Sequence, residues 1–354
     1  MNTAPEDRPD NATDRPLVTF ALFAYNQEQY IREAVEGAFS QTYEPLEIIL
    51  SDDGSPDRTY QIMQEMAAAY DGPHKVVLNR NEPNLGLVPH IDRVMELVSG
   101  EFIVVSAGDD ISCPQRTEKM VTAWRQSAKN VTLVHSLAES IKESGEYNWI
   151  RPPPERMMNK PTSRDIIQYA LHVVGATAGW DRRVFTEFGP LAPGLEIEDH
   201  IIPLRASFIG DLSFINEPLV KNRVGGMSFG GYGGVYDYLY TSGHRKRKWI
   251  LETDEYILRR FFDLAFSGDA ELKAICERRR DLFKVPVELA ETHRLGRILK
   301  LPFCLNMSLK HQSTQPVKDW AKYNFDWIYV PVRQALQKSA NSRTSRDKAR
   351  SEKQ

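Results

Sequence analysis

The chain has 354 residues, of which 41% are hydrophobic and 26% are charged, with 3 cysteines and a formal net charge of −3. This length suffices for one large domain or two of ordinary size, and the composition is that of a globular protein. The few scattered cysteines indicate neither a disulfide framework nor a zinc site, so we expect a cytoplasmic location, with peripheral contact to the inner face of the cell membrane as the alternative. No apolar run approaches the ~20 residues that a membrane-spanning helix needs.

The net charge hides an asymmetry along the chain. Residues 241–354 carry 24 Lys and Arg against 14 Asp and Glu, whereas residues 1–240 carry 21 against 34. A basic tail on an acidic body is consistent with an anionic membrane surface, an acidic acceptor or self-association, and equally with a solvated helical face. Because the motifs described below lie in the acidic body, we do not expect nucleic acid as a partner.

Strand and helix alternate in the first part of the chain. The predicted strands, separated by segments with helical spacing of apolar residues, are Val18–Ala24, Leu46–Leu50, Lys75–Leu78 and Phe102–Val105. Four such repeats in about 110 residues predict an α/β domain with a mostly parallel sheet and helices on both faces.

The pattern loosens beyond this point. We predict a helix over Arg116–Ala128, a strand over Val131–Ser136 and a helix from Glu196 to about Ile209. Six glycines between Gly225 and Gly234 are typical of a mobile loop over a site. The predicted boundaries are a disordered leader over 1–15, which lacks the apolar core of a signal peptide, an α/β domain over 16–235, a helical region over 236–335 and a polar basic tail over 336–354.

Polar residues follow each of the first strands. They are Tyr25-Asn26, Asp52-Asp53-Gly54-Ser55, Asn84-Leu85-Gly86 and Gly108-Asp109-Asp110. Ligands of open α/β sheets bind outside the carboxyl ends of the strands, so these residues suit a sugar or nucleotide, whose hydroxyl and ring N–H groups need acceptors. Each motif alone is also consistent with a turn or a helix cap, because Ser55 or Asp57 could cap the next helix.

In order and spacing, these motifs resemble those of family 2 glycosyltransferases over roughly residues 16–225. The resemblance also includes Phe39-Ser40-Gln41-Thr42-Tyr43, Gly189-Pro190 and Ile197-Glu198-Asp199. It implies the GT-A fold, a Rossmann-like sheet. It also implies inverting transfer of a sugar from a nucleotide-diphosphate donor to a hydroxyl acceptor, as in the synthesis of bacterial surface polysaccharides or glycoconjugates.

The resemblance further implies roles for individual residues. Tyr25, Asn26, Asp52 or Asp53, Asn84 and Gly86 would bind the donor nucleotide, with a UDP-sugar expected because a carboxylate can accept a ring N–H. Asp109 would hold Mn²⁺ or Mg²⁺ at the donor diphosphate, while Asp110 and Arg223 would lie beside the donor sugar and diphosphate. Asp199 would be the catalytic base, and Glu198 would bind the acceptor.

Two positions depart from the family pattern. Ala107 stands where an aspartate is usual, and Gly225 stands where a histidine often completes the metal's ligands. The sequence therefore does not identify the third protein ligand of the metal, and water, His200 or His244 would take its place. Asp109-Asp110 could instead be a helix cap, and Glu198-Asp199 could simply favour a helix N-terminus through its dipole.

The expected partners are a nucleotide-sugar donor and a glycan or lipid-linked acceptor. The basic segment 245–249 and the aromatic segment 320–332 would contact a membrane surface or a second copy of the chain in a homo-oligomer.

Two other functions compete with sugar transfer. A sugar nucleotidyltransferase would need a glycine-rich basic loop after the first strand, and Tyr25-Asn26-Gln27-Glu28 offers none. A non-catalytic nucleotide-sugar-binding protein fits the changes at Ala107 and Gly225.

Overall fold

The structure, a computed structural model, describes residues 15–126, 130–169, 171–191, 198–224, 270–291, 294–314 and 316–317. The chain divides into two compact units, Met1–Gly233 and Gly234–Gln354. Most of the predicted leader, the glycine-rich segment 225–234, the basic segment 245–249 and the aromatic segment 320–332 lie outside the described residues.

Four parallel strands form the first half of the sheet, in the order β3-β2-β1-β4. They are β1 (Val18–Ala24), β2 (Leu46–Asp52), β3 (Lys75–Arg80) and β4 (Phe102–Ala107). The helices between them are α1 (Ile31–Phe39), α2 (Thr59–Ala68) and α3 (Leu87–Leu97). Every residue of β1 and β2 is buried, as expected of strands covered on both faces. The predicted α/β fold is confirmed, and β2, β3 and β4 each continue two residues further than predicted.

Beyond β4 the sheet is mixed. Its strands are β5 (Ile111–Ser112), β6 (Val131–Ile141), β7 (Tyr147–Arg151), β8 (Ala178–Asp181) and β9 (Asp211–Arg223). Strand β8 lies antiparallel between β4 and β6, β9 runs parallel to β6, and β7 pairs antiparallel with β6. Strand β7 was not predicted, because its exposed residues lack the alternation of a half-buried strand.

Four helices accompany these strands, namely α4 (Arg116–Trp124), α5 (Ser163–Tyr169), α6 (Arg183–Thr186) and α7 (Ile201–Ile209). Strand β6 continues to Ile141 rather than ending at the predicted Ser136, and two predicted helix boundaries were also wrong. Helix α4 ends at Trp124 rather than Ala128. Helix α7 begins at Ile201, so Glu198 and Asp199 lie in the turn before it rather than in its first turn.

The main core lies between the first strands and the helices that cover them. Phe20, Leu22, Ile48 and Leu50 are fully buried against the apolar side of α1. Burying a side chain of this size contributes roughly 1.5–3 kcal/mol, so the first four strands form a rigid base for the loops at their carboxyl ends.

The described part of the second unit is helical. It consists of α8 (Ala270–Glu291), α9 (Arg294–Leu299) and α10 (Leu301–His311). Val285, Leu289, Cys304 and Met307 form its small core, and Lys310 Nζ donates to Asp281 Oδ2 at 2.6 Å. Among the described residues, no helix combines the length and the hydropathy that crossing a bilayer requires.

His135 in β6 makes the stability of the fold depend on pH. The ring is fully buried against Phe214, its Nε2 lies 3.2 Å from Met157 O, and burial lowers the pKa of His135 to about 4. An unfolded histidine takes up a proton near pH 6.5, so the unfolded state binds more protons between pH 6.5 and 4.

We therefore expect the free energy of unfolding to fall as the pH is lowered through this window, with His135 contributing about 3 kcal/mol at its lower end. Urea denaturation at pH 7.0, 5.5 and 4.5 measures the loss. In His135→Gln, which keeps an N–H donor, the loss should be smaller by most of that amount. An identical pH dependence in the variant would show that His135 is not responsible.

Candidate functional site

The carboxyl ends of β1, β2 and β4 lie side by side. Ala24 is in register with Asp52, and Phe23 with Ala107. The amide of Gly108 donates to Phe23 O at 2.8 Å, which holds the loop after β4 against the loop after β1. Because neighbouring strands are about 4.8 Å apart, the motifs that follow these strands form one continuous site.

Ser55 joins the loops after β1 and β2. Its amide donates to Asp52 Oδ2 at 3.0 Å, and its hydroxyl accepts from the amide of Asn26 at 2.9 Å. Asn26 has a φ of 55°, a left-handed conformation that asparagine adopts more readily than most residues. The Tyr25-Asn26 turn is thereby held beside Asp52, with Tyr25 half-buried and Asn26 exposed.

Asp53 is bound entirely by its own chain. Its Oδ1 accepts from Asn81 Nδ2 at 2.8 Å and from the amide of Leu85 at 3.0 Å. Its Oδ2 accepts from Asn84 Nδ2 at 3.0 Å and from the amide of Gly86 at 2.9 Å. These four bonds hold the loop 81–86 to the end of β2, so Asn84 and Gly86 are positioned through Asp53.

Asp52 differs from its neighbour in one oxygen. Its side chain is 0% exposed, and Oδ2 accepts from Ser55 and lies 3.5 Å from Arg80 Nε. Its Oδ1 has no hydrogen-bond partner among the described residues. Leaving a buried carboxylate oxygen unpaired is costly. The geometry therefore favours Asp52 over Asp53 as the acceptor for a ligand's N–H, a choice that the sequence left open.

Asp109 and Asp110 are both buried after β4. Asp110 accepts from the amide of Arg223 at 2.9 Å and from Asn222 Nδ2 at 2.9 Å, which binds this turn to β9. Burial, and secondly the neighbouring charge of Asp109, raise the pKa of Asp110 to about 7. Asp109 is 1% exposed, and its backbone oxygen accepts from Arg223 Nε at 3.1 Å.

The guanidinium of Arg223 binds three parts of the protein. Besides Asp109 O, it donates to Glu143 O at 2.7 Å and to Glu33 Oε2 at 2.6 Å, and it lies 4.6 Å from the ring centre of Tyr30. These contacts tie helix α1 and the β6–β7 turn to the Asp109 turn. The predicted contact of Arg223 with the donor diphosphate stays a prediction.

Glu198 and Asp199 lie in the turn before α7. The amide of Gly175 donates to Asp199 Oδ1 at 2.8 Å, and a Cβ atom at position 175 would lie 2.2 Å from Glu198 Oε1, so the site needs glycine there. Burial raises the pKa of Glu198, and burial together with the charge of Glu198 raises the pKa of Asp199 well above its usual value. A carboxyl group of raised pKa is the stronger base.

Arg151 and Asn222 connect the two acidic turns, and the sequence assigned neither a role. Arg151 NH1 donates to Asn222 Oδ1 at 2.9 Å, while Asn222 donates to Asp110. The charges of Asp199 and Asp110 both act on the Arg151 guanidinium, although burial outweighs them and lowers the pKa of Arg151. Arg151 is therefore a cation on which the charges of both acidic turns act. The only signal of Arg151 and Asn222 in the sequence is the position of Asn222 directly before Arg223.

The described residues contain no group of three or more His, Cys, Asp or Glu side chains arranged to hold a metal ion. Asp109 is a hard oxygen ligand of the kind that Mg²⁺ and Mn²⁺ prefer. His200 packs against His172 with ring centres 5.2 Å apart, while Gly225 and His244 lie outside the described residues. The part of the chain that is described thus offers one carboxylate at the predicted metal position.

Comparison with known proteins indicates the family of this domain. Residues 19–189 match the model of the family described as glycosyl transferase family 2. The segment 19–189 is thus a family 2 glycosyl transferase domain. An uncharacterized glycosyltransferase of Haemophilus influenzae is 36% identical over 128 residues, which are 36% of this chain and 38% of that protein. The chain thus matches less than two fifths of that relative.

Solved structures of glycosyltransferases share the fold. TarS residues 1–349 of S. aureus in complex with UDP-GlcNAc is similar with a TM-score of 0.56 and 14% identity, over 88% of this chain and 91% of that one. The mannosyltransferase PcManGT of Pyrobaculum calidifontis, in complex with GDP-Man and Mn²⁺, is similar with a TM-score of 0.52 and 15% identity, over 91% of each chain. The predicted GT-A fold is confirmed.

The bonds of Asp53 and Asp52 predict different effects of two matched substitutions in this family 2 domain. In Asp53→Asn the new NH₂ group cannot accept a hydrogen bond, so the side-chain donor of Asn84 or Asn81 and an amide of the loop lose their acceptor. We expect the free energy of unfolding, measured by urea denaturation, to fall by about 2–4 kcal/mol. Asp52→Asn keeps an oxygen for Ser55 and should cost about 1 kcal/mol. Equal losses would contradict the separate roles.

Proposed function

We propose that this protein is an inverting glycosyltransferase that moves a sugar from a nucleotide-diphosphate donor to a hydroxyl acceptor. The observation that carries the proposal is the unpartnered Oδ1 of buried Asp52, beside Tyr25-Asn26, at the carboxyl ends of a family 2 domain. The UDP-GlcNAc and GDP-Man complexes of the two structural neighbours support a nucleotide-sugar donor.

A uridine nucleotide is the donor that we favour. Asp52 has one oxygen available, because Oδ2 accepts from Ser55. The uracil edge presents a single ring N–H, which one carboxylate oxygen can accept, whereas a guanine edge presents two adjacent donors that suit a bidentate acceptor. Tyr25 and Asn26 would flank the base, and Asn84 and Gly86 would shape the pocket through Asp53.

We propose that Asp109 holds Mn²⁺ or Mg²⁺ together with the donor phosphates and water. A single protein carboxylate plus substrate phosphates is a common arrangement for Mg²⁺. When bound, the cation would neutralise charge on the departing diphosphate. The chain's own contribution is to fix the Asp109 turn, through Arg223 and through the bonds of Asn222 to Asp110.

Asp199 is the proposed base. Inverting transfer needs a group that takes the proton of the acceptor hydroxyl on the side opposite the departing diphosphate. The raised pKa of Asp199 strengthens it as a base, and the Gly175 amide and the Arg151 charge favour its ionised form. Glu198, whose Oε2 has no hydrogen-bond partner among the described residues, would accept a hydrogen bond from the acceptor.

This function predicts slow release of UDP from a UDP-sugar in the presence of Mn²⁺, without any added acceptor. Asp199→Asn should lower transfer, and the assisted attack of water, by at least about 100-fold, while the thermal shift caused by UDP and Mn²⁺ stays unchanged. Asp52→Asn should abolish that shift.

The outcomes separate the rival functions. If UDP and Mn²⁺ no longer shift the melting temperature of Asp199→Asn, the role of Asp199 is structural. Nucleotide binding by the wild type without hydrolysis or transfer would support a non-catalytic binding protein, and formation of a nucleotide sugar from a sugar phosphate and UTP would support a nucleotidyltransferase.

We further propose a glycan or lipid-linked glycan as acceptor, in the synthesis of a bacterial surface polysaccharide, with the second unit at the membrane surface. The exposed apolar side chains of α9 and α10 support this contact: Leu299 and Leu309 are each 80% exposed, and Ile298 and Leu305 are also exposed. Apolar side chains of this kind on helices insert into the headgroup region of a bilayer.

Sedimentation with vesicles tests the membrane contact. The wild type should sediment with vesicles that contain anionic lipid, whereas Leu299→Ser combined with Leu309→Ser should stay in the supernatant with an unchanged melting temperature, since both side chains are exposed. If the wild type instead stays in the supernatant and light scattering gives a dimer that the double variant dissociates, these leucines contact a second copy.

A further inference from the structure

An exposed tryptophan lies in a row of side chains that leads into the candidate site. Trp149 of β7 is directly opposite Ser140 of β6, and Ser140 is in register with Asn222 of β9. Residues opposite one another on paired strands point to the same face. Trp149, Ser140 and Asn222 therefore lie side by side, with about 5 Å between neighbours, on the face where Asn222 binds Asp110.

Arg151 connects this row to the proposed base. It lies two residues after Trp149 on the same strand and so points to the same face. Its guanidinium donates to Asn222 Oδ1 at 2.9 Å and is close enough to Asp199 for the two charges to interact. Trp149 is thus on the same face of the sheet as Arg151 and as Asn222, which binds the Asp109-Asp110 turn.

The exposure and the polarity of the side chains change along this row. The side chain of Trp149 is 46% exposed, which is high for the largest apolar side chain. Ser140 is 1% exposed, and its Oγ has no hydrogen-bond partner among the described residues. An exposed flat ring therefore adjoins a buried unpaired hydroxyl and a guanidinium.

The order of the strands separates this row from the donor loops. Asp52 and Tyr25-Asn26 follow β2 and β1, whereas β6, β9 and β7 lie beyond β4 and β8 in the other half of the sheet. The Asp109-Asp110 turn follows β4, between the two halves. A group bound on Trp149 would approach this turn from the side opposite the nucleotide.

We propose that Trp149 and Ser140 form a binding subsite for a saccharide acceptor. One face of a pyranose ring consists of C–H groups and packs on an aromatic ring, while its hydroxyl groups need polar partners, which Ser140 and Arg151 supply. A saccharide stacked on Trp149 can extend along the row with its reacting hydroxyl towards Asp199. This subsite rests on the proposed function, because it names the acceptor of the same reaction.

The test uses the full chain and an array of immobilised mono- and oligosaccharides, in the presence of UDP and Mn²⁺. The wild type should bind at least one pyranose-containing saccharide. Trp149→Ala should raise the dissociation constant for it at least tenfold, Trp149→Phe should retain most of the affinity, and Ser140→Ala should weaken binding several-fold. Hydrolysis of the UDP-sugar without acceptor should stay within twofold of the wild type in all three variants.

Ile150→Ala is the matched control. Ile150 is the next residue of the same exposed strand, but it lies opposite Glu139 and so points to the other face. Ile150→Ala should bind saccharides as the wild type does.

Saccharide binding by Trp149→Ala at wild-type strength would overturn the subsite, as would a wild type that hydrolyses UDP-sugar but binds no saccharide. A dimer that dissociates in Trp149→Ala would also overturn it, in favour of a second copy of the chain. Absence of both UDP binding and hydrolysis in the wild type would instead refute the proposed function.

Discussion

The burial of carboxylates at one edge of a parallel sheet is the constraint on which this structure depends. A buried carboxylate must be hydrogen-bonded, paired or protonated, because the cost of leaving it unpaired is comparable to the stability of a whole domain. Asp53 meets this demand with four donors from its own chain, and Asp110 meets it with Asn222 and Arg223. Asp52 meets it at Oδ2 only, through the Ser55 amide and Arg80, because Oδ1 has no donor among the described residues. The difference between adjacent aspartates distinguishes a residue that builds the site from one that can bind a ligand.

The two halves of the sheet divide the work of the proposed reaction. The first four strands are parallel and end together, so the loops of the proposed donor site meet as a consequence of strand direction alone. The mixed half carries the proposed acceptor side, where the antiparallel β7 places Arg151 and Trp149 on the face of Asn222. The bond from Arg151 to Asn222, together with those of Asn222 to Asp110, is the physical connection between the halves.

Much of the first half could be predicted from the sequence, since apolar runs covered on both faces leave a continuous pattern that ends at the motif residues. Val18–Ala24 was predicted with both of its observed boundaries. Strand β7 was missed, because its residues are exposed and its stability comes from pairing with β6. No local pattern in the sequence records that pairing. The start of α7 was misplaced because Glu198 and Asp199 look like a first helical turn, whereas they lie in the turn before the helix and the Asp199 side chain accepts from the Gly175 amide.

By itself, the sequence determined the fold class, the family and the set of acidic residues at the ends of the strands, because these depend on local pattern and on order along the chain. Only the tertiary structure distinguished Asp52 from Asp53 and showed that Arg223 is bound by three separate segments. Only the structure, too, placed Arg151 against Asn222 and Trp149 on the same face of the sheet. The physical reason is that hydrogen-bond partners and shared sheet faces come from residues far apart in the chain, whose pairing no local spacing records.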